Sequence, residues 1–171
     1  VEPTAERNYY TLVTSGMGAH RMNVPKELAE YKLERAEIVV YLPADWNISD
    51  HEEKNYWPLR WLKILARLPL EEDSWLGWGH SVPNGKPFAE NTQLSSVLLI
   101  NPENVEEGAA VCQLPNGEEV NFYQMIPLYE EEVNFKIQNG AETLLGKMGE
   151  ISAVVDIHRL NVCEGFGRPK E

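Results

Sequence analysis

The sequence predicts an α+β domain, a mostly antiparallel sheet with helices packed on it, and three features of the chain lead there. Short runs rich in β-branched and aromatic residues outnumber the helical stretches. One long amphipathic pattern sits in the middle of the chain, and a helical pair follows late, after a strong hairpin signal. Strands and helices therefore do not alternate regularly, as a parallel sheet with crossover helices would require. At 171 residues, 1–171 is expected to be one domain with a core of useful size, frayed over 164–171 (EGFGRPKE).

The first strand is expected over Asn8 to Thr14, running into the glycine loop Ser15-Gly16-Met17-Gly18. A strand before Gly-x-Gly invites a nucleotide-binding reading, but Arg21 stands where the third glycine would be and no Gly-Lys-Ser/Thr follows, so a tight turn is the better account. Tyr31 to Leu42 alternates with period two and reads as an internal antiparallel strand closed by Pro43.

The central helix is expected to run from an Asn55 cap for about three turns to Pro69. Trp57, Trp61, Ile64, Leu65 and Leu68 would form its buried face, with Arg60, Lys63 and Arg67 opposite and Pro58 in the first turn. Trp75 to His80 follows as a candidate strand. Leu94 to Ile100 reads as a buried strand, and Ala109–Leu114 and Glu119–Leu128 as a hairpin about Pro115-Asn116-Gly117. Beyond Pro127, three glutamates favour a helix start, with Tyr129, Val133 and Ile137 spaced by four. Asn139-Gly140 breaks that helix before Leu144, Leu145 and Met148, and Ala153 to Ile157 is the last expected strand.

With 27 acidic and 15 basic residues, the net charge of −12 repels nucleic acid. Acidic groups at Glu71–Asp73, Glu106–Glu107, Glu118–Glu119 and Glu130–Glu132 are spread through patterned sequence and decorate a folded surface. They serve as solubilising surface or as a steering field for a basic protein partner. No apolar run is long enough for a membrane span, the N-terminus has no leader pattern, and two cysteines make no disulfide framework, so a cytoplasmic setting is expected. Asn47-Ile48-Ser49 is a sequon that would matter only in a secreted protein.

Chemistry is sparsely signalled. His20, His51, His80 and His158 show no ligand spacing, so neither a metal nor a cofactor is expected. No nucleophile elbow is present, and Cys112 in an apolar run reads as a buried small hydrophobe. Polar residues interrupt strand pattern at Trp78-Gly79-His80 and at Asp156-Ile157-His158-Arg159. The plain reading is an edge strand, with Asp156 and Arg159 paired to each other or to neighbours. The functional reading takes Trp78, His80, Asp156, His158 and Arg159, with Glu130, Glu131 and Glu132, as a protein-binding surface, since aromatic and guanidinium groups carry interface energy.

The ordered set Thr14-Ser15-Gly16-Met17, Tyr41-Leu42-Pro43-Ala44-Asp45-Trp46, the helix closing on Leu68-Pro69-Leu70, Leu98-Leu99-Ile100-Asn101-Pro102 and Leu114-Pro115-Asn116-Gly117 resembles the suppressor-of-fused domain family. Ile126-Pro127-Leu128-Tyr129, Asn139-Gly140 and Asp156-Ile157-His158-Arg159 extend the likeness over nearly the whole chain. The resemblance implies a non-enzymatic protein-binding domain. Animal members pair this domain with a second and grip an extended peptide of a Gli-type transcription factor between the two, near the region matching Trp78 to Lys86. Free-standing members imply a bacterial immunity or sequestering protein that neutralises a toxin by occlusion, with a basic toxin domain as partner. The alternative is a small hydrolase or nucleotide-using enzyme whose site only the fold assembles.

Overall fold

The computed structural model describes residues 1–103, 105–106, 108–149 and 153–167. In chain order its elements are β1 (Tyr9–Val13), β2 (Ala36–Pro43), α1 (Glu53–Glu71), β3 (Ser81–Pro83), β4 (Ser96–Ile100), β5 (Val111–Gln113), β6 (Glu119–Leu128), α2 (Glu130–Asn139) and α3 (Ala141–Met148). The strands make one mixed sheet in the order β1-β2-β6-β4-β3, with β5 also on β6. Every pairing is antiparallel except β2 with β6, which is parallel from Ala36↔Asn121 to Val39↔Gln124. The fold is thus α+β as expected, with β2 internal but antiparallel to only one neighbour.

The alternation of β4 shows how the layers arise. Val97 and Leu99 face α1, sharing a core with Ile38, Val40, Leu42, Trp57 and Leu65. Leu98 and Ile100 face the other way, onto Leu128, Val133, Leu144 and Met148 of β6, α2 and α3. All five β4 residues are buried, because helices cover both faces.

Helix α1 is longer than its periodicity suggests, 19 residues, and starts before Asn55. Asp50 sets the start: its carboxylate accepts Glu52 N at 2.9 Å and the Asn55 amide at 2.7 Å. Pro58 therefore lies well inside the helix, where its ring deprives the Lys54 carbonyl of a donor. The Asn91 amide supplies one at 3.4 Å. The buried face comprises Trp57, Pro58, Trp61, Leu62, Leu65 and Pro69, whereas Ile64, expected inside, is 36% exposed. Phe88 stacks on Trp57 at 4.7 Å and meets Trp61 edge-on at 5.2 Å. Each such side chain contributes roughly 2–3 kcal/mol of burial.

Several other expectations are corrected. Trp75–His80 is loop and turn, and the strand begins only at Ser81, because Gly79 takes φ +78°. Ala153–Ile157 contributes a single parallel bridge, Val154 to Tyr41. Cys112 is exposed on the short outer strand β5, and Ile137 is 70% exposed because α2 buries Val133 instead. The hairpin is as expected, with Gly117 at φ +83°. Phe166, in the stretch expected to fray, packs edge-on against Phe135 at 5.1 Å. Glu107 of the Glu106–Glu107 pair and residues 168–171 of the tail lie outside the described residues.

Candidate functional site

Helix α2 and the segment 159–167 meet over one end of the sheet, and a buried ion pair holds them together. Glu132 sits in the first turn of α2, where its Oε2 accepts the Tyr129 N–H at 3.0 Å. The same carboxylate accepts from both terminal guanidinium nitrogens of Arg159, at 2.6 and 2.5 Å, and from the Val162 N–H at 3.1 Å. Arg159 also donates to the Pro127 carbonyl at 2.8 Å and lies 5.0 Å over the Tyr129 ring. The Tyr129 hydroxyl closes the circle on the Arg159 carbonyl at 2.6 Å. A carboxylate this enclosed is tolerable only when every lone pair finds a donor, and these four donors supply that.

Beside this knot a cleft of about 960 Å³ opens between β3, α2 and the 159–167 segment. Its lining includes Ser81, Ser95 and Ser96, the apolar Ile137, Leu160 and Phe166, and the charged Lys86, Glu130, Glu131 and Glu164. Ile137 and Leu160 are 70% and 86% exposed, although both are large and aliphatic. β3 is the last strand on its side of the sheet, so its outer edge pairs with no strand among the described residues. Lys136 bridges from α2 to the Ser81 hydroxyl at 3.1 Å, and burial pushes its ammonium below the usual lysine range.

The expected site residues fall into three places. Glu130, Glu131 and Arg159 line the cleft, with Arg159 committed to Glu132. Glu132, expected at an exposed helix start, is instead fully buried, because the cap and the ion pair both use its carboxylate. Asp156 and His158 line a second, smaller pocket of about 350 Å³ with Asp45, Trp46, Lys54 and Asn91. Asp156 does not pair with the Arg159 guanidinium; its Oδ1 accepts the His158 N–H at 2.8 Å. Trp78, 40% exposed, and His80 precede β3 and are not among the cleft's lining residues. The His80 imidazole meets Trp75 edge-on at 4.3 Å, and burial pushes it below its ordinary 6.5.

Sequence reasoning missed the three serines, Ile137, Leu160 and Phe166. Only Ile137 carried a signal, and its spacing pointed inward. Among the described residues no group of three or more His, Cys, Asp or Glu could hold a metal, and no helix is long and apolar enough to cross a membrane.

The family model described as suppressor of fused protein (SUFU) matches residues 1–160. The chain belongs to the suppressor of fused family. The uncharacterized protein UU111 of Ureaplasma parvum is 28% identical over 155 residues, spanning 90% of this chain and 74% of that protein. Among solved structures, a protein described as a SUFU homologue from Neisseria gonorrhoeae superposes with a TM-score of 0.65 at 20% identity, over 94% of this chain and 74% of its own. The Sufu–Fu complex matches with a TM-score of 0.65 at 15% identity, over 94% and 73%. At these identities the structural likeness shows the fold, and the family's α+β architecture is the one built here by β1–β6 and α1–α3.

Proposed function

We propose that this suppressor of fused family chain is a non-enzymatic protein-binding domain, spanning 1–171, that holds a segment of its partner in the cleft and beside the open edge of β3. The observation that carries this reading is the exposure of Ile137 and Leu160, which line the same cleft to which β3 contributes Ser81 and Pro83. Large aliphatic side chains left in solvent beside an unpaired strand edge gain most from being covered by another chain. The Sufu–Fu complex supports the reading, because a protein of the same fold is there bound to a protein.

In the cell, the domain acts as a bacterial immunity or sequestering protein of the cytoplasm that neutralises a toxin by occlusion. Its surplus of negative charge, −12, supports a basic toxin domain as the partner and steers its approach. Co-purification from the native cell tests this. The wild-type chain should retain a partner that the doubly substituted Ile137→Asp, Leu160→Asp chain, equally well folded by circular dichroism, releases. Equal retention by both chains overturns the cleft as the binding site, and an acidic partner overturns the steering.

A further inference from the structure

Ser81 and Lys136 stand 55 residues apart in sequence, and the fold brings them together between β3 and α2, where the Lys136 Nζ donates to the Ser81 Oγ at 3.1 Å. Among the described residues no carboxylate pairs with the Lys136 ammonium, and the His80 imidazole is the titratable group that feels its charge. Burial holds the ammonium below the usual lysine range, so more of it is neutral amine near pH 7 than for a lysine in water. A hydroxyl bonded to a partly desolvated amine is the arrangement in which lysine serves as base for a serine nucleophile.

The backbone adds a second component. The Leu99 N–H donates to the His80 carbonyl at 2.9 Å and the Asn84 N–H to the Ser95 carbonyl at 2.8 Å, so residues 80 and 84 face β4. Ser81 lies opposite Leu98 in the same antiparallel ladder, whose residues alternate between pairs that exchange hydrogen bonds and pairs that do not. Ser81 therefore turns its N–H to the outer edge, where no strand pairs with it among the described residues. That N–H is a donor for the oxyanion that forms when the neighbouring hydroxyl adds to a carbonyl. Ser81 is also half-buried and lines the cleft, within reach of a small reagent.

Independently of partner binding, we propose that Ser81 is an acylation site, with Lys136 as its base and an activated carboxylic ester as the acyl donor. The Ser81 Oγ adds to the ester carbonyl as its proton passes to the Lys136 Nζ. The carbonyl re-forms as the bond to the leaving oxygen breaks, and the departing alkoxide or phenolate takes up that proton. The acyl-serine is the end product, so the chain is an acceptor and not a turnover enzyme.

Incubating the folded chain with p-nitrophenyl acetate and mapping the acetyl groups by peptide mass spectrometry tests this. Ser81 should carry an acetyl group that hydroxylamine removes, as it removes esters and not amides, and labelling should quicken with pH as Lys136 loses its proton. Lys136→Arg, which keeps the charge but yields no proton, and Lys136→Met should each slow the labelling of Ser81 about a hundredfold. Each variant is used only if its melting midpoint is that of wild type; where neither folds, the wild-type chain unfolded in urea is the control and should lose the labelling. Acetyl groups on Lys136 instead of Ser81, an unlabelled Ser81, or labelling that is as fast in Lys136→Arg or in the unfolded chain overturns the proposal.

Discussion

Glu132 and Arg159 form a two-pronged ion pair with side chains 0% and 9% exposed, and it joins the first turn of α2 to the segment that walls the cleft. Leu160 and Phe166 of that segment line the same cleft as Glu130 and Glu131 of the helix start.

Breaking the pair from one side should therefore be costly. Arg159→Leu leaves the Glu132 carboxylate buried without its main donors, for a loss on the order of 3–5 kcal/mol in urea unfolding. Removing both charges, as Glu132→Leu with Arg159→Leu, should recover much of that loss, because no uncompensated charge remains. A single variant as stable as wild type would show that the pair is solvated.

The stacked aromatics define the phase of α1. Trp57→Ala empties the space between Trp46 and Phe88 and should cost about 3–5 kcal/mol. Ile64→Ala, on the exposed flank, should stay within about 0.5 kcal/mol. Similar shifts for the two in thermal melts would put the helix in a different rotation.

These residues also show what the sequence could and could not reveal. Spacing identified Trp57, Trp61 and Leu65, and Asn116-Gly117 announced its hairpin, because periodicity and turn chemistry are local. α1 starts before Asn55, where Asp50 outside the helix accepts the Glu52 N–H and the Asn55 amide, and Pro58 is tolerated because Asn91 serves the orphaned Lys54 carbonyl from 37 residues away. Ile64 and Ile137 fit an apolar stripe, but spacing does not say how wide the stripe is. The parallel pairing of β2 with β6 joins segments half the chain apart, Ala36 to Asn121, and leaves no local mark. At the site, Glu130, Glu131 and Glu132 look alike in sequence; only the fold, bringing Arg159 and Val162 to the third, buries it alone. The cleft serines are small residues at a strand entrance and carry no signal at all.

The hairpin should make stability depend on acid. Hydrogen bonds from Asn116, then Arg35, hold the Glu118 carboxyl below its ordinary 4.5. Those from Gln113, then Lys32, do the same for Glu119. A depressed folded pKa means that the unfolded chain takes up protons first, so the contribution is full above about pH 4.5 and is lost as pH falls through the lower folded value. Glu118→Gln should flatten the fall in melting midpoint below about pH 5. An unchanged slope would assign the acid sensitivity to other carboxylates.

Steering by charge should appear in kinetics. Raising salt from about 0.1 to about 1 M shortens the Debye length from about 10 to about 3 Å, so the partner's association rate should drop while dissociation changes less. Glu130→Lys with Glu131→Lys should slow association at low salt. An on-rate that ignores salt would return the acidic groups to the role of solubilising surface.

Hydrogen–deuterium exchange on the purified complex with its captured partner tests the central claim most directly. Added protection should concentrate at 81–83, 130–137 and 159–167, the three stretches that frame the cleft. Protection confined instead to the pocket of Trp46, Asn91 and His158, with the cleft exchanging as in the free chain, would contradict it.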